Sequence, residues 1–120
     1  MKKDFSPRDK EWHQVIINFL SILLDMKVKP MIIYDRKQFN LHTRKGIHKP
    51  NQVWAQCVIE HGLIWLSKDL VTESYVLTLN VLVHECLHIK YPEWNEKQVR
   101  NEADRVVPVV DDKERKKQFE

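Results

Sequence analysis

The amino-acid sequence predicts an α+β fold in which helices pack on a small three-stranded, mostly antiparallel sheet. Apolar residues recur at helical spacing near residues 12–24, 75–91 and 95–107, and three short apolar runs lie between the first two of these segments. The chain has 120 residues, 42% of them hydrophobic, which is enough for one hydrophobic core and too little for two. We therefore predict one domain over residues 1–110, followed by a charged tail over residues 111–120 that is either loose or a frayed helix.

The first predicted element is an amphipathic helix from about Arg8 to Leu24. Ser6 is placed to cap it and Pro7 to occupy its first helical position. We expect His13 to lie on the surface, because it falls beside the apolar stripe and not within it. The stripe consists of Trp12, Val15, Ile16, Phe19, Leu20, Leu23 and Leu24.

Three strands are predicted next. Pro30 to Tyr34 reads as the first strand, and a polar loop then runs from Asp35 to Pro50. Gln52 to Glu60 and Leu63 to Leu66 flank the turn residues Glu60-His61-Gly62, which predicts a hairpin. If the strand Leu63 to Leu66 lies at an edge of the sheet, it can pair with an extended peptide.

Two further helices complete the prediction. Thr72 is placed to cap a central helix from Glu73 to about Tyr91. Asn95 and Gln98 have the spacing of a capping box for a last helix, which Pro108 is expected to end.

The central helix carries His84-Glu85-Cys86-Leu87-His88, which matches the pattern H-E-x-x-H. Residues four apart lie one above the other on a helix, so both imidazoles can bind one metal ion. Glu85 can then act as general base toward the water activated by that ion. We expect Cys86 to point away from the histidines into the core. Two alternatives remain open, namely a structural metal site and a metal-free helix face.

A catalytic zinc ion usually takes three protein ligands and keeps one position for water. If the last helix doubles back along the central one, Glu102 lies level with the histidine pair at about 1.5 Å per residue. Glu102 is therefore the first choice as third ligand. Glu96 is the second choice, and its place in the first turn of the helix is also explained by the helix dipole.

The amino-acid composition gives little information about binding partners. There are 20 basic and 17 acidic residues, a balance that neither demands nor excludes an acidic partner. The basic residues between Arg36 and Lys49 can contact phosphate or nucleic acid, although a solvated loop is the favoured interpretation. With two cysteines, no apolar leader after Met1 and no membrane-spanning run, we expect a cytoplasmic protein with no membrane partner.

The order of elements resembles the minimal zincin core, and the size of the chain is most similar to that of the minigluzincins, with SprT-like proteins nearby. Asn101-Glu102-Ala103-Asp104 resembles the glutamate-helix patterns of thermolysin-like and ImmA/IrrE-like proteins. This resemblance implies a zinc metallopeptidase with one Zn²⁺ per chain, in which His84, His88 and Glu102 bind the ion. Glu85 would be the catalytic residue. It also implies that the segment from Pro108 onward can occupy the cleft and keep the enzyme latent.

The predicted function is therefore hydrolysis of peptide bonds through a metal-bound water, with a peptide or an unfolded protein as substrate. The alternative is a metal-bearing regulatory or binding module, with a protein or nucleic-acid partner and little hydrolysis of its own. Two features support that alternative. A chain this short offers little material for substrate subsites, and its basic loop can contact a partner.

Overall fold

A computed structural model describes residues 4–41 and 54–119 of the chain, and the side chains of these residues as far as Asp112. The described residues form an α+β fold, as predicted, with four helices and a three-stranded mixed sheet. In chain order the elements are α1 (Pro7–Leu23), β1 (Met31–Ile33), α2 (Arg36–Asn40), β2 (Ala55–Val58), β3 (Leu63–Leu66), α3 (Tyr75–Lys90) and α4 (Glu96–Phe119). Short 3₁₀ turns precede β3 (Ile59–His61) and α3 (Lys68–Thr72).

The sheet has the strand order β1-β3-β2, so β3 lies in the centre. β2 and β3 form the predicted antiparallel hairpin, but β1 pairs with β3 in parallel. The expectation of a mostly antiparallel sheet is therefore corrected to a mixed one. The condition for peptide pairing at Leu63–Leu66 is not met, since this strand is not at an edge and all four of its residues are buried between β1 and β2. A strand apolar at every position is typical of a central strand.

The hairpin turn lies at the residues predicted from the sequence. Gly62 ends the 3₁₀ turn with φ 61°, in the left-handed region that glycine enters without strain. Its carbonyl accepts a hydrogen bond of 2.8 Å from the backbone N–H of Met31, which joins the turn to β1.

α1 begins as predicted, with Ser6 and Asp9 forming a capping box. The prediction that His13 lies on the surface is wrong, because the residue is 2% exposed. The buried stripe of α1 is rotated toward His13, Ile16, Ile17 and Leu20. Tyr34 supplies the polar partner that a buried imidazole needs, with its hydroxyl 2.9 Å from Nδ1.

One face of the sheet packs with α1, α3 and α4 around the main core, which includes Leu20, Ile64, Leu66, Leu82 and Val99. The opposite face carries a small cluster under α2, made of Ile33, Phe39, Leu63 and Trp65. Thus the predicted polar loop from Asp35 contains a short helix, which Asp35 caps by accepting from the Lys37 N–H. The basic residues beyond this helix, from His42 to Lys49, which were considered for contacts with phosphate or nucleic acid, lie outside the described residues.

α3 starts two residues later than predicted. Ser74, not Thr72, caps it by accepting from the backbone N–H of Leu77, because residues 68–72 are taken up by the 3₁₀ turn. Cys86 is fully buried on the core side of α3 and is a free thiol, as expected.

α4 begins with the predicted capping box, in which Asn95 and Gln98 each accept from the other's backbone N–H at 2.9 Å. It doubles back along α3, and Tyr75 at the start of α3 donates to Asp111 at 3.1 Å. The prediction that Pro108 ends the helix is wrong, since α4 continues to Phe119. Proline removes one backbone hydrogen bond, but Val107 and Val110 on either side of it stay buried and hold the helix on the core.

Of the two expectations for the charged tail over residues 111–120, a loose segment or a frayed helix, the structure has a helix, which continues α4 as far as Phe119. Asp111 accepts a hydrogen bond from Tyr75 at the start of α3. Tyr75 lies about nine residues, or roughly 14 Å along the helix, from His84. As far as Asp112, the segment runs along the helix pair and away from the histidines, which gives no support to a tail that fills the cleft. No helix in residues 4–41 or 54–119 is long and apolar enough to cross a membrane.

Candidate metal centre

Three side chains converge on one point beside the end of α3. His84 and His88, one helical turn apart, place their Nε2 atoms 3.1 Å from each other. The carboxylate of Glu96, the first residue of α4, lies against both rings. Its Oε1 is 2.8 Å from Nε2 of His88, and its Oε2 is 3.1 Å from Nε2 of His84.

One ligand atom from each of the three residues lies within 4.8 Å of the others, which is close enough for a single divalent ion to bind all three. Zinc bonds of about 2.0–2.1 Å to nitrogen and oxygen place tetrahedral ligand atoms about 3.3 Å apart. The two Nε2 atoms, 3.1 Å apart, are close to that separation. No cysteine and no other acidic or imidazole group joins His84, His88 and Glu96 within the described part of the chain.

Hydrogen bonding alone cannot satisfy the three contacts. If both Nε2 atoms carry hydrogen, the contact between the histidines brings two donors together. If one or neither carries hydrogen, at least one nitrogen lone pair faces a carboxylate oxygen. A cation at the centre removes the conflict, because every one of these lone pairs can then point at it.

The cluster is open on one side. The two imidazoles are mostly buried, whereas the side chain of Glu96 is 60% exposed. Three protein ligands with an accessible fourth position are typical of catalytic zinc sites, whereas structural zinc sites are closed by four ligands.

Glu85 lies on the neighbouring, inward face of α3 and is 9% exposed. Burial raises the pKa of its carboxyl group above the ordinary value, and a hydrogen bond from the Cys57 thiol opposes that rise. Burial also raises the pKa of Cys57 strongly, and the nearby Glu85 adds to that effect. Cys57 therefore remains a protonated thiol beside the Glu85 carboxyl group. A positive charge on the His84 or His88 ring would also lower the pKa of Glu85.

Glu96, the second choice for the third ligand, lies with the two histidines in the structure, whereas Glu102, the first choice, does not. The structure does not bring Glu102 to the histidines, and its Oε1 lies 3.8 Å from Nε of Arg105. Glu102 was expected from the distance along the helix axis alone, without the rotation of successive residues around that axis. Six residues separate the two glutamates, which is about 9 Å along the axis and about 120° around it.

A signal for Glu96 was present in the sequence. The buried stripe of α4 contains Val99, Ala103, Val106 and Val110, at successive spacings of four, three and four. Glu96 extends this stripe by one step of three residues, so it faces α3, whereas Glu102 falls at the edge of the stripe.

Sequence reasoning also missed the contact of Cys57 with Glu85. Ala55 and Cys57 alternate with Gln56 and Val58 along β2, which indicates that Cys57 points to the helical side of the sheet. The pattern could not show which residue of α3 it would meet.

A comparison of the chain with protein-family models, curated proteins and solved structures finds no match.

Proposed function

We propose that this protein is a zinc-dependent metallopeptidase of the zincin type, with His84, His88 and Glu96 as the ligands of one Zn²⁺. The observation that supports this best is the convergence of their three ligand atoms within 4.8 Å of one another, next to the buried carboxyl group of Glu85 on the same helix as the two histidines. The proposed ligand set keeps both histidines of the H-E-x-x-H motif and replaces the expected Glu102 with Glu96.

Bound zinc would supply a Lewis acid that polarises a carbonyl group and lowers the pKa of a coordinated water. Glu85 would take the proton from the attacking water and pass it to the leaving amine nitrogen. A hydrogen bond from the Cys57 thiol lowers the pKa of Glu85 and so favours the ionised form that accepts the proton. The exposed side of Glu96 leaves an approach for a peptide or an unfolded protein.

An extended substrate would pair with the edge of β2, because β3 lies in the centre of the sheet. Among the described residues β2 pairs only with β3, and Cys57 joins it to Glu85 on α3. A strand with an unpaired edge can add an extended peptide through backbone hydrogen bonds.

A second candidate is a metal-bearing binding or regulatory module, and one observation favours it. Glu85 is only 9% exposed, which restricts the access of a water molecule or a substrate to its carboxyl group. In that case the zinc site would hold α3 and α4 together or bind a partner without hydrolysis.

Zinc stoichiometry tests the site first. Purified wild type, Glu96→Gln and Glu102→Gln are loaded with zinc, passed through a desalting column and analysed for metal. Wild type and Glu102→Gln should retain about one zinc per chain, and Glu96→Gln should lose most of it, because amides are poor zinc ligands. Equal retention in all three proteins would refute the assignment of Glu96.

Cleavage of an unfolded protein substrate tests the reaction. Wild type and Glu102→Gln should cleave it, and Glu85→Gln should retain zinc while losing about a hundredfold or more in rate. Zinc binding by wild type with no cleavage would contradict the peptidase and favour the binding module.

A further inference from the structure

The five residues that join α3 to α4 form an ordered connection directly beside the histidine pair. We propose that Tyr91 and Trp94 in this connection are positioning residues, which set the metal affinity of the site by fixing the place of Glu96. The inference rests on the proposed zinc site and adds two residues to it that do not touch the ion.

The two aromatic rings of the connection are stacked. The centroids of Tyr91 and Trp94 lie 3.9 Å apart with an angle of 9° between the ring planes. The backbone closes the same turn, since the N–H of Trp94 donates to the carbonyl of Tyr91 at 3.0 Å. The N–H of Tyr91 donates in turn to Leu87 at 2.8 Å, which ties the stack to the last turn of α3. Both rings also pack against the main core.

The start of α4 is fixed by the next residues. The paired hydrogen bonds of Asn95 and Gln98 define the first turn of the helix, and Glu96 is its first residue. The Glu96 side chain is 60% exposed and its carboxylate meets the two imidazoles. With so little packing around that side chain, the position of its backbone decides whether the carboxylate reaches the histidines.

Such a turn acts on affinity through preorganisation. The ligands His88 and Glu96 lie eight residues apart, on either side of the stack. If the connection were loose, the ion would have to order it on binding, and that conformational entropy would be subtracted from the binding free energy. A stacked and hydrogen-bonded turn has already lost this freedom in the metal-free protein. Groups that orient metal ligands typically contribute about 10-fold to 100-fold in metal affinity.

The chain offers a matched control at the other end of the helix pair. Trp12 of α1 is also a half-buried tryptophan that packs on the main core and against a tyrosine, with its ring centroid 6.0 Å from that of Tyr75. Tyr75 begins α3 and lies roughly 14 Å along the helix from His84. Truncating Trp12 therefore removes similar packing without touching the connection.

The test measures zinc affinity by competition with a chromophoric chelator, using full-length wild type, Trp94→Ala, Trp94→Phe and Trp12→Ala. The free energy of unfolding of each metal-free protein is measured in parallel with urea. Trp94→Ala should weaken zinc binding by about tenfold or more. Trp94→Phe, which keeps an aromatic ring for Tyr91, and Trp12→Ala should remain within about threefold of wild type.

The outcomes separate this inference from the proposed function. Equal losses of affinity in Trp94→Ala and Trp12→Ala would show a general effect of destabilisation and overturn the positioning role. Unchanged affinity in Trp94→Ala would overturn it as well, while the zinc site itself would stand. Failure of wild type to bind zinc would overturn both. If Trp94→Ala does not fold, Tyr91→Leu in place of it tests the same stack, with the same expected loss.

Discussion

The buried imidazole of His13 should make the stability of the fold depend on pH. His13 is 2% exposed, packs edge-on against Phe5 and lies 2.9 Å from the hydroxyl of Tyr34. Burial is the main effect and lowers the pKa of His13 from 6.5 to about 4. The negative charge of Asp9 opposes this decrease, and the positive charge of Lys10 adds to it more weakly. Burial raises the pKa of Tyr34, so its hydroxyl keeps its proton and can donate to Nδ1.

The sign and the size follow from linkage. Between pH 6.5 and 4 the unfolded chain binds a proton at His13 that the folded protein does not, so stability falls as the pH falls through this window. The full pKa difference corresponds to roughly 3 kcal/mol at about 1.4 kcal/mol per unit. Between pH 7 and pH 5 the loss from this one group should be about 2 kcal/mol.

Urea denaturation of wild type and His13→Gln at several pH values between 7 and 5, with a metal chelator present, isolates this contribution. Other groups titrate in both proteins and cancel in the difference. The stability advantage of wild type over His13→Gln should therefore shrink by about 2 kcal/mol toward pH 5. NMR of the folded wild type should show the His13 ring neutral throughout this range.

Parallel stability curves for the two proteins would refute the reasoning. So would an His13 ring that becomes protonated near pH 6.5 in the folded state. Either result would mean that the imidazole is solvated and that its contacts with Phe5 and Tyr34 do not exclude water.

Four further predictions concern stability. Gly62→Ala should destabilise the protein by about 1 kcal/mol in urea denaturation, because of its φ of 61°, while the new Cβ would meet Val28 at an ordinary 3.5 Å. Ser74→Ala should cost about 1 kcal/mol through loss of the α3 cap, whereas Thr72→Ala should cost clearly less, and equal costs would contradict the observed cap. Leu82→Ala, at a fully buried position, should cost about 2–5 kcal/mol, and a loss under about 1 kcal/mol would contradict the core assignment. Zinc at about 100 times its Kd should stabilise wild type by about 2.7 kcal/mol, as measured by urea denaturation, and this gain should disappear in Glu96→Gln.

The local signals in the sequence predicted much of the fold. Capping residues and hydrophobic periodicity place α1 and the start of α4 to within a residue or two, and Gly62 marks the hairpin turn. These features depend on the nearest few residues of the chain. Predictions that required knowledge of distant packing failed, as with the exposure of His13 and the expected end of the last helix at Pro108.

The candidate site divides in the same way. His84 and His88 are four residues apart on one helix, so their convergence follows from helical geometry alone and could be predicted from the sequence. The contact of Cys57 with Glu85 depends on how β2 lies against α3. The choice of Glu96 over Glu102 depends on the rotation of α4 about its axis, which its buried stripe and the connection from Tyr91 establish together. Periodicity determines which residues share a face, but only packing between elements decides which faces meet.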